Sequence, residues 1–253
     1  MAATILVADR GQTMAVQERL RQAALEANRA LERAGLVTLT FGNASAIDRA
    51  SGLLAIKPSG IPVAALTLED IVVVRIEDGE QVAGSTRPSS DTPTHLVLAR
   101  AFPEVGGIVH THSPAAAAWA QAHRPIPCLG TSHADHFRGA VPVTRALTPA
   151  EIADEYTAAT GRAIVEAFAE IHSDEVPAAL VRDHGAFTWG PDAPTAVANA
   201  IALELVARIA LDTLALAPDR GPITPELLER HHARKHGPGA TYGQGRPGVS
   251  EQH

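Results

Sequence analysis

The chain has 253 residues, of which 45% are hydrophobic, and its formal net charge is -7 at pH 7. A chain of this length and composition can bury the core of one globular domain. Its lysines and arginines are scattered and form no basic block, so the sequence does not indicate nucleic-acid binding. It contains no apolar segment of bilayer-spanning length and no secretory signal, so we expect no association with a membrane.

Cys128 is the single cysteine in the sequence, which excludes an intrachain disulfide and a zinc centre built from several thiolates. A chain without disulfides suits a reducing compartment, and we expect a cytoplasmic protein. Any metal site in this chain must then use histidine and carboxylate ligands.

The first predicted elements are a helix and several strands. Residues 1–13 show no periodic pattern, and we interpret them as a flexible N-terminal segment. From about Thr13 apolar residues recur at helical spacing, and Gly35 suits the end of that helix. Apolar or β-branched runs then predict strands at residues 36–41, 53–56 and 71–76.

Helices and strands alternate through the rest of the chain. Helices are predicted at residues 94–102, from Ser113, at 148–168, at 194–216 and at 224–236, and a strand at 178–182. This alternation indicates an α/β domain, and the pattern by itself favours parallel strands. After Gly237 the composition turns to glycine, proline and small polar residues, so we interpret residues 245–253 as a disordered tail.

Two histidines separated by one residue end a predicted strand. Because successive strand side chains alternate between faces, His110 and His112 point the same way. Asp91 upstream offers a carboxylate, and His184 downstream offers a third imidazole. These four residues predict a divalent metal site, whereas a lone His-x-His pair is more typical of an ordinary surface. Gly185, next to His184, favours the metal site because glycine allows close backbone approach.

Three small polar turns follow strand-like segments, and such turns can present N–H and hydroxyl groups to a phosphate. The candidate residues in them are Asn43, Lys57, Ser59, Gly60, Ser89 and Ser90. Each turn taken alone is typical of ordinary structure, and a single lysine is usually solvated surface.

Two further residues are candidates for proton transfer. Asp135 lies among histidines and an aromatic residue, where its pKa can be tuned, although it also suits a helix cap. Tyr242 lies in a glycine-rich segment, where a tyrosine more often packs than acts as an acid.

Taken together, these segments resemble the class II aldolase/adducin family. The similarity extends from about Leu31 to Gln244 and includes residues 36–40, 42–45, 56–60, 88–95, 106–113, 119–122, 133–135, 189–190 and 234–237. It implies a three-layer α/β/α catalytic domain over residues 14–244, with a mixed, mostly antiparallel central sheet. It also implies a homotetramer whose active sites lie between neighbouring subunits.

The resemblance assigns a role to each candidate residue. Metal ligands are implied at Asp91, His110, His112 and His184, with zinc as the ion and manganese or cobalt as alternatives. Substrate and phosphate contacts are implied at Asn43, Lys57, Ser59, Gly60, Ser89, Ser90, Thr131 and His231. Asp135 and Tyr242 match the acid/base pair.

The implied activity is interconversion of L-ribulose 5-phosphate and D-xylulose 5-phosphate by zinc-dependent retro-aldol cleavage and re-addition, as in arabinose catabolism. The first alternative is a class II aldolase acting on a ketose phosphate, although related aldolases usually carry glutamate in place of Asp91. A non-catalytic adducin-like module would be expected to lose its metal ligands. The departures from the family pattern leave the identity of the ketose phosphate open, and they lie at His136, Thr157, Arg182 and Thr241.

Overall fold

The computed structural model describes residues 2–236 and residue 240, with side chains from Met14 onward. The elements in chain order are α1 (Ala2–Arg33), β1 (Asn43–Asp48), β2 (Leu53–Ile56), a 3₁₀ helix (Val63–Ala65), β3 (Val72–Arg75), β4 (Gln81–Ala83), α2 (Thr92–Ala101), β5 (Gly107–Thr111), α3 (Pro114–Gln121), α4 (Thr131–Ala134), α5 (Pro149–Asp154), α6 (Tyr156–Ala167), β6 (Ala178–Leu180), β7 (Ala186–Gly190), α7 (Ala193–Leu216) and α8 (Pro225–His236). Among the described residues, no helix is both long enough and apolar enough to cross a membrane.

The seven strands form one sheet in the order β4-β3-β2-β1-β5-β7-β6. Every neighbouring pair in it is antiparallel, and an isolated bridge between Val143 and Leu180 is parallel. Residues 49–52 join β1 to β2 and residues 76–80 join β3 to β4, and connections this short allow only antiparallel pairing. The mostly antiparallel sheet implied by the family resemblance is therefore confirmed, and the parallel strands favoured by the pattern alone are wrong.

Two apolar cores lie on opposite faces of the sheet and give the molecule three layers. In β2, Leu54 belongs to one core and Ala55 to the other, because strand side chains alternate. The first core also contains buried residues of α2, α3 and α6 and those of α7 from Ala202 to Ala210. The second core contains buried residues of α1 and those of α7 from Ala193 to Ala200. The expectation of parallel strands came from the alternation of helices and strands. Strands buried on both faces read as continuous apolar runs, which are also typical of parallel sheets, so these runs did not argue against it.

Several predicted elements are confirmed with small shifts of their ends. The strands at 53–56 and 71–76 correspond to β2 and β3, and the helices at 194–216 and 224–236 correspond to α7 and α8. A capping box opens α5, because Thr148 Oγ1 accepts a hydrogen bond from the Glu151 N–H at 3.2 Å and the Thr148 N–H donates to the Glu151 carboxylate at 2.8 Å.

Other predicted boundaries are wrong. Residues 36–41 form turns and no strand, since Leu39 has a φ of 57° and the Phe41 N–H donates to the Thr38 carbonyl. Helix α1 begins at Ala2, whereas the sequence placed its start near Thr13. The helix predicted at 148–168 is two helices, because Glu155 leaves helical geometry with φ -152° and ψ 41°. The division into residues 1–13, 14–244 and 245–253 stays a prediction, and residues 245–253 lie outside the described part.

Candidate active site

Three imidazoles converge at one end of the central strand β5. His110 is in β5 and His112 follows it, and their Nε2 atoms lie 3.0 Å apart. His184 precedes β7, the neighbour of β5, and its Nε2 lies 3.1 Å from Nε2 of His112. One ligand atom from each of the three residues falls within 4.8 Å of the others. The prediction that His110 and His112 share a face is confirmed.

A tight turn between β6 and β7 places His184. The Val181 N–H donates to the Gly185 carbonyl at 2.8 Å, and the His184 N–H donates to the Val181 carbonyl at 3.0 Å. Gly185 lies against β5, because a Cβ atom at this position would be 2.5 Å from the Thr111 carbonyl oxygen. The close backbone approach expected at Gly185 is thus present, and it is what lets His184 reach the pair on β5.

The three imidazoles suit a divalent ion. His110 Nδ1 lies 3.0 Å from the Ala186 carbonyl, which only accepts, so the proton sits on Nδ1 and Nε2 carries a lone pair. Burial lowers the pKa of His110 to about 3 and also lowers the pKa values of His112 and His184, so all three are neutral near pH 7. A tetrahedral ion with metal–nitrogen distances of about 2.0–2.1 Å separates its ligands by roughly 3.3 Å, close to the 3.0 and 3.1 Å that separate His112 Nε2 from the other two Nε2 atoms.

Asp91 lies beside the imidazoles in the same cavity. It stands immediately before α2, and its Oδ2 accepts a hydrogen bond from Asn43 Nδ2 at 2.7 Å. Burial alone would raise the pKa of Asp91, but His110, His95 and the Asn43 amide outweigh it and lower that pKa. Among the residues that the structure describes, the potential ligand atoms that lie within 4.8 Å of one another belong to the three histidines and do not include Asp91. The role of Asp91 as a fourth ligand stays a prediction.

The cavity that holds these side chains has a volume of about 460 Å³. Its lining residues are Thr40, Phe41, Gly42, Asn43, Lys57, Ser59, Gly60, Ser89, Ser90, Asp91, His110, His112, Tyr156, Thr157 and His184. The predicted metal residues therefore share one cavity with six of the eight predicted substrate and phosphate contacts.

Lys57 is buried in the wall of this cavity. The residue is 2% exposed, and its Nζ donates to the Pro58 carbonyl at 3.1 Å. Burial lowers the pKa of Lys57, although the nearby Asp91 opposes the shift. The alternative of a solvated surface lysine is wrong, because the residue is buried. A buried cation needs an anionic neighbour or ligand.

The serine turns are joined to Lys57 and Asn43. The Ser89 N–H donates to the Lys57 carbonyl at 3.0 Å, and Asn43 Nδ2 donates to Ser89 Oγ at 3.2 Å. The other amide atom, Asn43 Oδ1, is buried and has no hydrogen-bond partner among the described residues. A buried acceptor without a partner in a polar cavity is typical of a site that a ligand completes.

The remaining predicted residues lie elsewhere. Asp135 follows α4, and its carboxylate accepts hydrogen bonds from His231 Nδ1 at 3.1 Å and from Arg234 at 3.0 and 2.7 Å. Burial alone would raise the pKa of Asp135, but the hydrogen bonds from Arg234 and His231 outweigh it and lower that pKa. None of Thr131, Asp135 and His231 lines the cavity of the histidines. Tyr242 lies outside the described residues.

Three further residues near the predicted ligands were not predicted from the sequence. Phe41 and Tyr156 contact imidazoles, whereas the His95 N–H donates to the Asp91 carbonyl at 3.1 Å. Phe41 stacks on His112 with ring centroids 5.6 Å apart, and the Tyr156 hydroxyl lies 3.2 Å from His184 Nδ1. His95, in α2, is fully buried with its Nδ1 2.8 Å from Ser45 Oγ. For His95 the signal was available, since it is a histidine one helical turn after Asp91. Nothing in the sequence around Phe41 or Tyr156 distinguishes them from packing residues.

The chain is similar to known proteins in sequence and in fold. The description "Class II Aldolase and Adducin N-terminal domain" matches residues 22–211. The chain belongs to this family. Among curated relatives, "L-ribulose-5-phosphate 4-epimerase UlaF" from Salmonella paratyphi A (strain ATCC 9150 / SARB42) is 49% identical over 227 residues, which cover 90% of this chain and 99% of the relative. The protein of the same name from Salmonella typhi matches equally well.

Solved structures of the family share the fold. An L-fuculose 1-phosphate aldolase superimposes with a TM-score of 0.73 at 24% identity, covering 85% of this chain and 95% of the aldolase. The L-fuculose-1-phosphate aldolase of Thermus thermophilus gives a TM-score of 0.63 at 26% identity, covering 80% of this chain and 98% of the aldolase. The three-layer architecture is therefore that of a class II aldolase.

Proposed function

We propose that the protein is a metal-dependent sugar-phosphate epimerase that interconverts L-ribulose 5-phosphate and D-xylulose 5-phosphate. The observation that carries this proposal is one cavity that combines three converging imidazoles with a buried lysine and two serine turns. The 49% identity to an L-ribulose-5-phosphate 4-epimerase over 90% of the chain supports the choice of reaction. The three imidazoles would hold the ion, with zinc proposed and manganese or cobalt as alternatives.

The proposed reaction breaks a carbon–carbon bond. The hydrogen on C4 is not acidic, and we infer that inversion there proceeds by retro-aldol cleavage of C3–C4. The C4 hydroxyl loses its proton, the electron pair of the broken bond passes into the three-carbon fragment, and glycolaldehyde phosphate is released within the cavity. Re-addition to the other face of the aldehyde reverses these changes with inverted configuration. A divalent ion supplies Lewis-acid stabilisation of the negative charge on the sugar oxygens.

The chain's own residues would hold the phosphate while the aldehyde turns. Lys57 supplies a fixed positive charge, and the turns at Ser59–Gly60 and Ser89–Ser90 supply hydroxyl and N–H donors on the same wall. Asn43 links this wall to Asp91, with its Nδ2 within 3.2 Å of Ser89 Oγ and 2.7 Å of Asp91 Oδ2. A phosphate clamp separate from the metal ligands keeps the fragment from escaping.

Proton transfer would come from a neighbouring subunit of a homotetramer. Asp135 and His231 contact each other but do not line the cavity of their own chain. We place them, with Thr131 and Tyr242, at the cavity of the adjacent subunit, as the family resemblance implies. Asp135 is ionised, because its pKa is lowered, and we assign it acceptance of the C4 hydroxyl proton, with Tyr242 donating on the opposite face.

The second candidate is a class II aldolase, favoured by the likeness to L-fuculose-1-phosphate aldolases. Such an enzyme would release both fragments, whereas an epimerase retains them. We further propose a cytoplasmic location, since Cys128 is a buried free thiol.

The proposal is tested by removing and restoring the metal. L-Ribulose 5-phosphate should be converted to D-xylulose 5-phosphate by the zinc-loaded protein and not by protein treated with a chelator, and zinc should restore the conversion. Equal conversion by the chelator-treated protein would contradict the role of the histidines. Absence of conversion by fully loaded protein would contradict the proposed substrate.

A further inference from the structure

Tyr156 is the first residue of α6 and lines the cavity on the side of His184. Its hydroxyl oxygen lies 3.2 Å from His184 Nδ1, and the residue is 41% exposed. Among the described residues, this nitrogen is the one hydrogen-bonding neighbour of the hydroxyl. The proton on each of these two atoms therefore determines what the pair can do.

The direction of this hydrogen bond follows from the opposite nitrogen. His184 Nε2 faces His112 Nε2 at 3.1 Å, so it is the atom that meets an ion. A neutral imidazole carries one proton, and a lone pair on Nε2 therefore requires the proton on Nδ1. Nδ1–H then donates to the Tyr156 oxygen. The corresponding acceptor for His110 is the Ala186 carbonyl, 3.0 Å from its Nδ1.

The hydroxyl proton of Tyr156 is thereby left for another acceptor. A phenol, whose ordinary pKa is about 10, is protonated near pH 7. With its oxygen accepting from His184, the O–H group is free to donate into the cavity. A pentose phosphate presents hydroxyl and carbonyl oxygens there.

Tyr156 is held firmly in this position. Helix α6 packs on α2 so closely that a Cβ atom on Gly161 would lie 2.7 Å from Val97 Cβ. Thr94 Oγ1 donates to the Thr157 carbonyl at 2.6 Å, next to Tyr156. Because α2 begins immediately after Asp91, these contacts fix Tyr156 relative to the cavity.

We propose that Tyr156 is a positioning residue for His184 and a hydrogen-bond donor to a sugar oxygen of the substrate, an inference that rests on the proposed function. The phenol oxygen holds His184 in the tautomer that offers Nε2 to the cation. The phenol proton orients the pentose phosphate at the same end of the cavity.

The test compares Tyr156→Phe with Thr160→Val, which also removes one hydroxyl from α6 at constant shape. Thr160 Oγ1 donates to the Tyr156 carbonyl at 2.8 Å and does not line the cavity. Zinc affinity is measured by competition with a chromophoric chelator, and kcat and KM are measured with L-ribulose 5-phosphate at saturating zinc. Melting temperatures of both variants report the structural cost.

We expect Tyr156→Phe to weaken zinc affinity by about tenfold, as loss of a partner behind a ligating histidine typically does. At saturating zinc, its kcat/KM should fall by about tenfold through the lost hydrogen bond to substrate. Thr160→Val should leave both quantities unchanged while lowering the melting temperature. Unchanged zinc affinity and kcat/KM in Tyr156→Phe would overturn the inference, as would equal losses in Thr160→Val.

Failure of the proposed function gives a different result. In that case the unsubstituted, zinc-loaded protein would not convert L-ribulose 5-phosphate, and the substrate contact would fall with it. The zinc affinities of the two variants would still decide whether Tyr156 positions His184.

Discussion

His112 Nε2 and His184 Nε2 lie 3.1 Å apart, although 72 positions separate the two residues in the chain. The pairing of Thr111 with Ala186 across β5 and β7 brings them together, since His112 follows one partner and His184 closely precedes the other. The candidate metal centre is therefore a consequence of strand register. A shift of one residue would move His110 to the other face.

Replacing His112 by asparagine should abolish tight zinc binding, because it removes one of three converging imidazole nitrogens. The matched control is His172→Asn, which changes an exposed imidazole outside that group. Zinc content after dialysis against trace metal checks the prediction. A normal zinc content in His112→Asn would show that the ion binds elsewhere.

Gly185→Ala should damage both stability and the metal site. The added Cβ would lie 2.5 Å from the Thr111 carbonyl oxygen, so the turn that carries His184 must move away from β5. We expect a loss of about 1–3 kcal/mol in the free energy of unfolding, together with weaker zinc affinity. Gly221→Ala is the control, because its Cβ would meet nothing within 4 Å. Denaturant unfolding and chelator competition measure the two effects, and equal behaviour of both variants would contradict the packing account.

Lys57→Met should weaken phosphate binding by about 10- to 100-fold, the usual range for a lost charge-assisted hydrogen bond. The charged amine is present below its pKa, and burial lowers that pKa from 10.5. Affinity for inorganic phosphate should therefore fall as the pH rises through the pKa of Lys57. Because that pKa is lowered, the fall should occur at a lower pH than it would for a site with an exposed lysine. Lys57→Arg keeps its charge and should lose this dependence. Calorimetric titration of the metal-free protein tests it, and identical pH profiles for lysine and arginine would refute the assignment.

Asp135→Asn and Tyr242→Phe should each retain zinc and lose most epimerisation, because each removes one proton acceptor or donor. Unchanged turnover in both variants would contradict the role assignment. Asp135→Asn also weakens the contact between α4 and α8, since Arg234 and His231 both donate to this carboxylate. Its melting temperature therefore needs to be recorded beside its activity.

The proposed sharing of the site between subunits has its own test. Subunits with His112→Asn lack the metal site but supply Asp135, and subunits with Asp135→Asn have the opposite defect. Co-expression of the two inactive variants should restore part of the activity, because mixed assemblies contain some intact sites. No recovery in assemblies shown to be mixed would mean that each chain completes its own site.

Local patterns in the sequence predicted part of this structure well. The alternation of strand side chains was enough to place His110 and His112 on one face, and the helix starts predicted at residues 113, 148 and 224 agree with the beginnings of α3, α5 and α8. The antiparallel direction of the strands could not be predicted from such patterns. Strands β2 and β3 are buried on both faces, so they lack the alternation of apolar and polar residues that marks an antiparallel strand.

Contacts between distant segments account for most of what the sequence missed. Tyr156 reaches His184 only because α6 begins at that residue, after a break at Glu155 that the continuous apolar periodicity conceals. Lys57 becomes a buried cation through the tertiary arrangement around β2 and the Ser89 turn, which its local sequence does not encode. The separation of Asp135 from the histidines is likewise a matter of tertiary placement.

The most direct test of the account is to incubate the zinc-loaded protein with L-ribulose 5-phosphate and quantify D-xylulose 5-phosphate together with free glycolaldehyde phosphate. We expect D-xylulose 5-phosphate without free glycolaldehyde phosphate, because the clamp around Lys57 and the serine turns would retain the fragment. Accumulation of glycolaldehyde phosphate in place of D-xylulose 5-phosphate would contradict it and identify the enzyme as an aldolase.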